Sequence, residues 1–278
     1  MGFQLWYSKE TGKRRNGTTF TELQDIFINN ITTKYIYETL ACCTFQDPCA
    51  EVLQTLQRLD FDILGVIEND QVIGYIKREE LPDSGEPVKN YVHKFNENQV
   101  ISYTSPLIEV FTVLGNEGFI FTASDKGVEG IVAKADVNKP IVRMYLFGVI
   151  SLFELHLNYW ITEFYQNENW ANVLKEERLV NAQKLFEDRK GHNLELTLLE
   201  CLQIGDKKYI LGQSDEFRQK FNFSKGKLKD LLEHMETIRN EVAHSQNSII
   251  SNLSWEDFVK CINGMTSFLE KSENEVVK

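Results

Sequence analysis

The most reactive combination of side chains in the sequence is TIRNEVAHS at residues 237–245, which contains the pattern R-N-x-x-x-H. Histidine titrates near neutral pH, so His244 can donate or accept a proton. Arginine stays charged and its planar guanidinium matches two phosphate oxygens, so Arg239 can bind a phosphate group. Asn240 can orient the histidine or donate a hydrogen bond to the phosphate. The trio is suited to proton transfer beside a phosphate.

The trio lies near the end of residues 224–246, where apolar side chains recur at the i, i+3, i+4 and i+7 spacing of a helix. At about 100° per residue, His244 lies almost opposite the middle of the apolar stripe, Asn240 shares its face, and Arg239 lies at the flank. That face has two interpretations: ordinary solvated polar residues, or a surface that meets a second copy of the chain. The stripe comprises Leu228, Leu231, Leu232, Met235, Ile238 and Val242.

This helix belongs to a proline-free second half of the chain, because the last of the five prolines is Pro140. The change in composition predicts a domain boundary there. A long helix from Pro140 to about Tyr165 leaves the first half directly, so it could pass a ligand-driven rotation to later helices. Short connections favour an antiparallel bundle. Further helices are expected at 168–189, 194–204, 213–220, 224–246 and 254–272, with Ser224 and Ser254 as N-caps.

The R-N-x-x-x-H form, in the penultimate helix of a small proline-free bundle, resembles the HEPN family, whose members are helical-bundle dimers and commonly metal-independent ribonucleases. The resemblance covers residues 140–278, and its specific content is Arg239, Asn240 and His244. It implies that two copies of the motif meet across a homodimer interface and form one composite active site. The helical pattern allows such a face but does not require it.

Such a site needs no cofactor to cleave RNA, because RNA supplies its own nucleophile. The 2′-hydroxyl attacks the adjacent phosphorus, negative charge builds on the non-bridging oxygens, and the 5′-oxygen leaves with a proton. In a dimer, one copy of His244 can act as base and the other as acid, leaving a 2′,3′-cyclic phosphate. DNA lacks the 2′-hydroxyl and is excluded as a substrate. The motif helix has no carboxylate cluster with metal-ligand spacing, so we expect catalysis without metal.

The charges limit the choice of partners. With 30 basic and 41 acidic residues the net charge is −11, which disfavours tight non-specific binding of nucleic acid. Glu154 interrupts the apolar run LFELHL, so we expect it to be buried and paired with Arg239 or another base. A local basic surface is expected within residues 207–229, although a solvated helix face is the commoner explanation of such lysines. Its members are Lys207, Lys208, Arg218, Lys220, Lys225, Lys227 and Lys229.

The first half of the chain contains a weak internal repeat. Each copy predicts an amphipathic helix, a strand, a tight turn, a second strand containing glycine, and a short helix. The copies begin at Asp47-Pro48 and Ser105-Pro106, where we expect an N-cap followed by proline at the first helical position. The second strands end in G-Y-I and G-I-V.

These units resemble a tandem pair of CBS (cystathionine β-synthase) domains, and the resemblance covers residues 33–139. In that family the second strand carries glycine, two apolar residues, a hydroxyl residue, two variable residues and an aspartate that binds the ribose of an adenine nucleotide. The second copy reads G-I-V-A-K-A-D, with Ala133 in place of the hydroxyl residue. The first reads G-Y-I-K-R-E-E, with Lys77 and Glu80 at the polar positions. The resemblance implies a nucleotide site at Gly130, Val132, Lys134 and Asp136.

Two interpretations of Asp136 remain open. A short carboxylate can hold a ribose diol with both oxygens, while Lys134 or the stretch Lys13-Arg14-Arg15 neutralises the phosphates. Alternatively, Asp136 only caps the helix that follows it, and the pair of repeats is a dimerisation scaffold.

The expected protein is multidomain α+β. An N-terminal extension at residues 1–32 packs on the CBS pair, tandem CBS (β-α-β-β-α) domains occupy 33–139, and an all-α HEPN helical bundle occupies 140–278. Five cysteines without a CxxC pair indicate free thiols in a reducing compartment. The N-terminus has no signal-peptide core, and the best membrane candidate has an uncharged run of only Met144 to Phe153. We therefore expect a cytoplasmic protein without a membrane partner.

The sequence thus predicts a homodimeric, metal-independent endoribonuclease that is regulated by ATP, ADP or AMP bound to the CBS pair. The family pairing implies a toxin-like role in stress response or antiviral defence. The rival hypothesis is a non-catalytic regulator or dimerisation protein that senses nucleotides. A third alternative is an active nuclease whose CBS pair is only structural.

Overall fold

The computed structural model describes residues 6–7, 14–15, 19–191, 196–243 and 248–276. They form two units, of which one comprises Phe27–Ile141 and the other comprises Met1–Ile26 together with Val142–Lys278. The first unit combines strands and helices, whereas the second is mainly helical. The predicted α+β composition is therefore present.

In chain order the strands are β1 (Trp6–Tyr7), β2 (Arg14–Arg15), β3 (Glu38–Thr39), β4 (Cys42–Thr44), β5 (Ile63–Glu68), β6 (Gln71–Lys77), β7 (Val100–Ser102), β8 (Phe119–Ser124) and β9 (Gly127–Ala133). The α-helices are α1 (Phe20–Asn29), α2 (Cys49–Leu59), α3 (Leu107–Glu117), α4 (Pro140–Phe164), α5 (Glu176–Lys190), α6 (Ile204–Gln213), α7 (Asp215–Lys220), α8 (Lys225–Ala243) and α9 (Trp255–Val276). Short 3₁₀ segments connect several of these elements.

The internal repeat is visible in the strand pairing of Phe27–Ile141. In the first copy β4 runs parallel to β5, and β5 runs antiparallel to β6. In the second copy β7, β8 and β9 pair in the same way, and β3 adds antiparallel to β9. Each hairpin shifts register at the equivalent place, after Val66 in one and after Thr122 in the other. The two copies are therefore the same β-α-β-β unit, and each ends in a 3₁₀ segment instead of the predicted short helix.

The helices of the two copies begin one residue later than predicted. α2 and α3 begin at Cys49 and Leu107, so the prolines occupy the N-cap and not the first helical position. Asp47 does not cap α2, because its carboxylate accepts hydrogen bonds from the N–H and the hydroxyl of Thr44, both at 2.8 Å. A proline has no N–H to satisfy, so it can end the extended segment before the helix without losing a hydrogen bond.

An aromatic cluster joins the two copies through side chains from both sheets. Tyr75 of β6 stacks on Phe95 at 5.9 Å and meets Phe121 of β8 at 4.9 Å between ring centroids. Phe95 and Phe121 meet edge to face at 4.7 Å. Aromatic pairs in these geometries add attraction to the apolar area that they bury. The cluster therefore stabilises the pairing of the copies.

In the second unit α4 contributes eleven of its 25 residues to the core, from Val142 to Ile161. It is long and apolar enough to cross a membrane, yet half of its most apolar window is buried inside the molecule. Ser272 of α9 lies 2.6 Å from His156 Nδ1 and accepts a hydrogen bond from Trp160 Nε1 at 2.5 Å. Burial lowers the pKa of His156 to about 4. His156 is therefore a neutral core residue that helps to tie α4 to α9.

The later helices follow the predicted order with two differences. α5 begins at Glu176 and not at 168, because a 3₁₀ segment occupies Gln166–Val173 and the extended residues Leu174 and Lys175 separate it from the helix. The predicted helix at 194–204 is wrong, because its described part holds only a short 3₁₀ turn and α6 begins at Ile204.

Local capping sets the start of α6. The N–H of Gln203 donates to Asp206 Oδ2 at 3.1 Å, which satisfies a donor just before the first helical turn. The predicted N-caps Ser224 and Ser254 are confirmed. Each hydroxyl accepts a hydrogen bond from the backbone N–H three residues later, at 3.2 and 3.1 Å.

The predicted packing of residues 1–32 on the tandem repeat is wrong for the start of α1. Phe20 is completely buried, and its N–H donates to the carboxylate of Glu273 on α9. Leu23 packs on α4, since a Cβ added at Gly148 would lie 3.1 Å from Leu23 Cδ1. The start of α1 therefore belongs to the helical unit. A local capping box of Thr19 and Glu22 also marks the start of α1, with hydrogen bonds of 3.0 and 2.8 Å, whereas the contact with Glu273 comes from the far end of the chain.

Candidate functional site

Arg239 and Asn240 lie at the C-terminal end of α8, and both are exposed. Arg239 Nε is 3.6 Å from Glu154 Oε1 on α4, which is the ion pair anticipated from the sequence. Arg239 Nη1 donates a hydrogen bond to Asn240 Oδ1 at 3.4 Å. Arg239 Nη2 makes no hydrogen bond to any residue that the structure describes. His244, the third member of the predicted trio, lies outside the described residues.

The predicted apolar stripe of α8 is buried from Leu228 to Ile238, and only its last member is partly exposed. The sequence did not reveal that Glu241 is also buried. Its Oε1 accepts a hydrogen bond from Ser251 Oγ at 2.8 Å, and its backbone oxygen accepts one from Arg143 of α4 at 3.2 Å. These contacts hold the last turn of α8, so the two motif residues stand on a fixed element.

The basic surface predicted from residues 207–229 is partly neutralised. Lys207 is not on the surface, since only 4% of it is exposed. Four of the seven basic residues pair with three acidic side chains, because Lys208 and Lys229 share Glu233, whereas Lys225 and Lys227 are exposed. The pairs are Lys208–Glu233 (3.1 Å), Lys220–Glu275 (2.6 Å), Lys229–Glu233 (3.9 Å) and Arg218–Asp215.

Gly130 lies in β9, where two other side chains approach its backbone. A Cβ at this position would be 2.2 Å from Tyr37 Cδ2 and 2.5 Å from Thr122 Oγ1, so only glycine fits. Val132, two residues further along β9, is completely buried. The side chain of Val132 therefore belongs to the core, so any part that Val132 plays in the predicted site falls to its backbone.

Asp136 lies after β9 in the 3₁₀ segment Lys134–Asn138. Its Oδ2 accepts a hydrogen bond from the N–H of Ala133 at 2.7 Å, and its Oδ1 is 2.9 Å from Lys139 Nζ. Lys139 also pairs with Glu38 Oε1 of β3 at 2.5 Å. The side chain of Asp136 is only 12% exposed. This geometry matches the capping interpretation, and a ribose could use both oxygens only by replacing Lys139.

The equivalent acid in the first copy is Glu80. Its Oε2 lies 2.5 Å from His93 Nε2, and its Oε1 lies 3.5 Å from Lys77 Nζ. The hydrogen bond with His93 lowers the pKa of Glu80. In both copies the acid at the signature position is therefore held by a basic side chain of the same unit.

Of the basic residues expected to neutralise phosphates, Lys134 lies in the 3₁₀ segment of Asp136 and is partly buried. Arg14 and Arg15 form β2, which belongs to the helical unit. Lys13 lies outside the described residues. The structure thus places Lys134 in the same unit as Asp136, whereas Arg14 and Arg15 belong to the other one.

A cleft that the sequence did not reveal lies beside the turn between β8 and β9. Its volume is about 510 Å³, and it is lined by Lys34, Tyr35, Tyr37, Tyr103, Ser124, Asp125, Lys126 and Glu129. Tyrosine rings stack on planar bases, so the lining suits an aromatic base, but the two lysines are balanced by two acidic residues and offer no net attraction for phosphates. Tyr35 and Tyr37 are two residues apart, but Tyr103 and Lys126 come from distant parts of the sequence, and for that reason no local motif indicates the cleft.

The described residues include no group of three or more His, Cys, Asp or Glu side chains that could hold a metal ion. All five cysteines are free. Burial raises the pKa of Cys43 and of Cys261 to about 12. These two thiols are therefore poor nucleophiles.

No family model and no curated protein matches the chain. Its N-terminal part is similar to solved structures of CBS domain proteins. A CBS domain-containing protein of unknown function from Bacillus anthracis str. Ames Ancestor is 15% identical with a TM-score of 0.37, and the match covers 42% of this chain and 96% of that chain. The CBS domains of a transcriptional regulator from Streptococcus pneumoniae are 12% identical with a TM-score of 0.35, and the match covers 39% of this chain and 97% of that chain. A CBS domain pair/ACT domain protein from Thermotoga maritima is 13% identical with a TM-score of 0.34, and the match covers 41% of this chain and 98% of that chain.

The CBS-like description of this chain rests on the repeated β-α-β-β unit of Phe27–Ile141 and its matched register shifts. The three matches cover at most 42% of the chain. The HEPN resemblance of residues 140–278 stays a prediction.

Proposed function

We propose that the protein is an endoribonuclease whose active site lies at the end of α8, and that nucleotide binding to the tandem repeats regulates it. The observation that carries the proposal is the exposed Arg239 guanidinium. Glu154 holds its Nε and Asn240 holds its Nη1, while Nη2 has no hydrogen-bond partner among the described residues. A guanidinium that is open to solvent at Nη2, and whose ion pair with Glu154 is screened by solvent, can bind a phosphate and exchange the carboxylate for it.

Each residue of the motif has a distinct task in this mechanism. Arg239 binds the scissile phosphate and stabilises the charge that builds on its non-bridging oxygens. Asn240 orients the guanidinium through Oδ1, and its amide nitrogen is a second donor for the phosphate. His244 accepts the proton of the 2′-hydroxyl, and His244 of a second copy donates a proton to the leaving 5′-oxygen. The products are a 2′,3′-cyclic phosphate and a 5′-hydroxyl.

An exposed apolar pair beside the motif supports the second copy. Met144 and Phe147 on α4 are 62% and 61% exposed. Their helix also carries Arg143 and Glu154, which contact α8 at Glu241 and at the motif. Apolar side chains that adjoin a polar functional face are typical of interfaces between copies of a chain. A two-fold interface at this place would bring two motifs together.

Regulation acts, in this proposal, through Lys139. A nucleotide whose ribose binds Asp136 displaces Lys139, which then also loses its fixed position beside Glu38 of β3. Lys139 directly precedes Pro140, the first residue of α4. α4 also carries Glu154, the ion-pair partner of Arg239. In this proposal a movement of Lys139 therefore displaces the start of the helix that positions Arg239.

The test of the catalytic proposal is cleavage of end-labelled RNA in EDTA. Arg239→Ala and His244→Ala should each lower the cleavage rate by about 10²-fold or more, since each removes a group that acts on the transition state. His234→Ala is the matched control, because it removes a histidine from the same helix but not from the motif. DNA of the same sequence should stay intact. Equal cleavage by wild type and His244→Ala would refute the catalytic role.

The nucleotide site is tested by thermal unfolding with ATP, ADP and AMP. A ligand raises the melting temperature when it binds only the folded protein. The shift should vanish in Asp136→Ala and persist in Tyr35→Ala. The opposite result would move the nucleotide to the tyrosine-lined cleft. Unchanged melting temperatures with all three nucleotides would leave the repeats with a structural role alone.

A second candidate function is a non-catalytic regulator that senses nucleotides and uses the helical unit for dimerisation. Charge favours it, because the chain carries a net charge of −11 and many basic residues of 207–229 are paired with acids. A polyanion therefore finds few free cations. The cleavage assay separates the two candidates, since a regulator binds nucleotide and forms dimers but leaves RNA intact.

A further inference from the structure

The tyrosine-lined cleft beside the turn between β8 and β9 lies wholly within the unit Phe27–Ile141. Its volume of about 510 Å³ falls in the range of roughly 300–1,000 Å³ that small-molecule sites usually have. The turn and Asp136 lie beyond opposite ends of β9, which at about 3.3 Å per residue spans roughly 20 Å. None of the four residues of the predicted nucleotide site lines the cleft. The cleft is therefore separate from that site.

Backbone hydrogen bonds hold the segments that form the cleft in one arrangement. The N–H of Lys34 donates to the oxygen of Tyr103 at 2.9 Å, and the N–H of Tyr103 donates to the oxygen of Ala123 at 2.9 Å. These bonds join the 3₁₀ segment before β3, the residue after β7 and the end of β8 in one row. The walls are thus part of the folded unit, and a ligand does not have to order them.

The tyrosine rings of the cleft are placed to contact a planar ligand. A Cβ at Gly130 would lie 2.2 Å from Cδ2 and 2.9 Å from Cε2 of Tyr37, so the ring of Tyr37 lies against the bare backbone of β9. Tyr35 is 51% exposed, and Lys34 Nζ lies 5.0 Å from its ring centroid. Within the described part of the chain, the rings of Tyr35, Tyr37 and Tyr103 stack on no other ring. Ring faces therefore remain for a ligand.

The charged side chains of the cleft carry two positive and two negative charges. Lys34 and Lys126 are the cations, and Asp125 and Glu129 are the anions. None of the four forms an ion pair with a residue that the structure describes, and Glu129 Oε1 accepts a hydrogen bond from Ser124 Oγ at 2.5 Å. Asp125 and Lys126 are neighbours in the turn itself. Such a lining complements a ligand that carries both signs of charge.

We propose that the cleft binds a free aromatic amino acid, whose ring packs on the tyrosines and whose two charges pair with the charged side chains. The α-carboxylate pairs with Lys126, and the α-ammonium pairs with Asp125. An amino acid carries these opposite charges on neighbouring groups, as the turn carries them on neighbouring residues. No covalent bond changes on binding, and the inference does not depend on cleavage of RNA.

Two other aromatic ligands match the lining less well. A nucleoside offers a ring, and hydroxyl groups for the carboxylates, but it has no anion for the lysines. A nucleotide adds phosphates, which lose their hydration and gain no net attraction from two lysines and two carboxylates. The aromatic zwitterion is the ligand that uses the rings and both kinds of charge.

The test is titration calorimetry of the full chain with L-tryptophan and three analogues that each lack one feature. Tryptamine lacks the carboxylate, indole-3-propionate lacks the ammonium, and L-leucine lacks the aromatic ring. Each analogue should bind at least about fivefold more weakly than tryptophan, because an exposed ion pair or a contact between rings contributes about that factor.

Single substitutions assign each charge of the ligand to its partner. Lys126→Gln should weaken tryptophan and indole-3-propionate about fivefold and leave tryptamine unchanged. Asp125→Asn should weaken tryptophan and tryptamine about fivefold and leave indole-3-propionate unchanged. Tyr35→Ala should weaken all three ligands, because it removes an exposed ring that each of them contacts. Asp70→Asn is the matched control, since it removes the same charge from the equivalent turn between β5 and β6 and should change none of these affinities.

The crossed pattern separates recognition of the ligand from an effect on the fold. A uniform loss of all three ligands in both turn variants would overturn the proposal. No binding of tryptophan to wild type, or equal affinity in wild type and Tyr35→Ala, would overturn it as well. Adenosine is the remaining probe: if it binds, Tyr35→Ala abolishes its binding, and tryptophan does not bind, the cleft holds a nucleoside and the proposal fails.

Discussion

Replacing Glu154 with glutamine should strengthen RNA binding. Glu154 Oε1 lies 3.6 Å from Arg239 Nε, and in the proposed mechanism a phosphate competes with this carboxylate for the guanidinium. Glutamine keeps the size and hydrogen-bonding capacity of the side chain but removes its charge. Arg239 is then free to bind phosphate, while the packing of α4 is retained.

The exposure of the two side chains sets the size of the effect. Arg239 is 51% and Glu154 is 27% accessible, so solvent screens the pair, and pairs of this kind are worth about 0.2–1 kcal/mol. An energy of about 1 kcal/mol corresponds to a factor of about 5 in Kd. We therefore expect Glu154→Gln to tighten RNA binding by up to roughly fivefold at low salt. The gain should shrink near 1 M salt, where the Debye length is about 3 Å.

Fluorescence anisotropy with a labelled 2′-O-methyl RNA measures this difference without cleavage. Glu163→Gln is the matched control, because it removes the same charge from an exposed site further along α4. If both variants bind RNA equally more tightly than wild type, the gain comes from weaker general repulsion between the acidic protein and RNA and not from the release of Arg239. Weaker binding by Glu154→Gln would contradict the competition between carboxylate and phosphate.

Three further changes test other parts of the structure. Burial raises the pKa of the Glu273 carboxyl above its ordinary value of 4.5. The protonated form of Glu273 therefore stabilises the fold fully below pH 4.5, and this stabilisation is lost as the pH rises through the raised pKa. Glu273→Gln should flatten this part of the pH dependence of the melting temperature. Gly130→Ala places a Cβ 2.2 Å from Tyr37 and should cost about 1–3 kcal/mol in denaturant unfolding. Phe147→Glu should lower the dimer fraction in light scattering, because it puts a charge into the exposed apolar pair.

Each of these changes has a control in the same chain. Glu270→Gln alters an exposed acid on α9 and should leave the pH dependence unchanged. Gly85→Ala meets no atom within 4 Å and should be nearly neutral. Val180→Glu alters an exposed apolar residue of α5 and should not affect the dimer. Equal losses in Gly85→Ala and Gly130→Ala, or a dimer insensitive to Phe147→Glu, would contradict the corresponding contact.

The parts of the fold that local chemistry decides were predictable. Apolar runs separated by turn residues predict the repeated helix and hairpin. Ser224 and Ser254 cap their helices by accepting a hydrogen bond from the backbone N–H three residues later. The parts that distant contacts decide were not. The capping box of Thr19 and Glu22 marks the start of α1 locally, but the hydrogen bond from the N–H of Phe20 to Glu273 joins residues at opposite ends of the chain, and no local pattern indicates it. The tyrosine-lined cleft depends in the same way on distant segments.

Lys207 was misplaced for a different reason, namely the phase of one helix. With a helix at 194–204, Lys207 lies after its end and joins the basic residues that follow. With α6 beginning at Ile204, Lys207 falls into the same buried stripe as Leu211. The start is fixed by the N–H of Gln203, which donates to Asp206, and glutamine is not among the residues that usually mark an N-cap. The burial of this lysine therefore depends on a helix start that the sequence does not mark clearly.

Glu154 shows how the two kinds of information combine. Its place in an apolar run predicts a charge that needs a cation, because an acid on a buried helix is costly alone. The sequence could name Arg239 as a partner, and the structure confirms the pair. The sequence could not show that α4 also contacts the last turn of α8 through Arg143, whose Nη1 donates a hydrogen bond to the backbone oxygen of Glu241 at 3.2 Å. Two contacts from one helix therefore fix the end of α8, one at a charge that the sequence marks and one at a backbone atom that it does not.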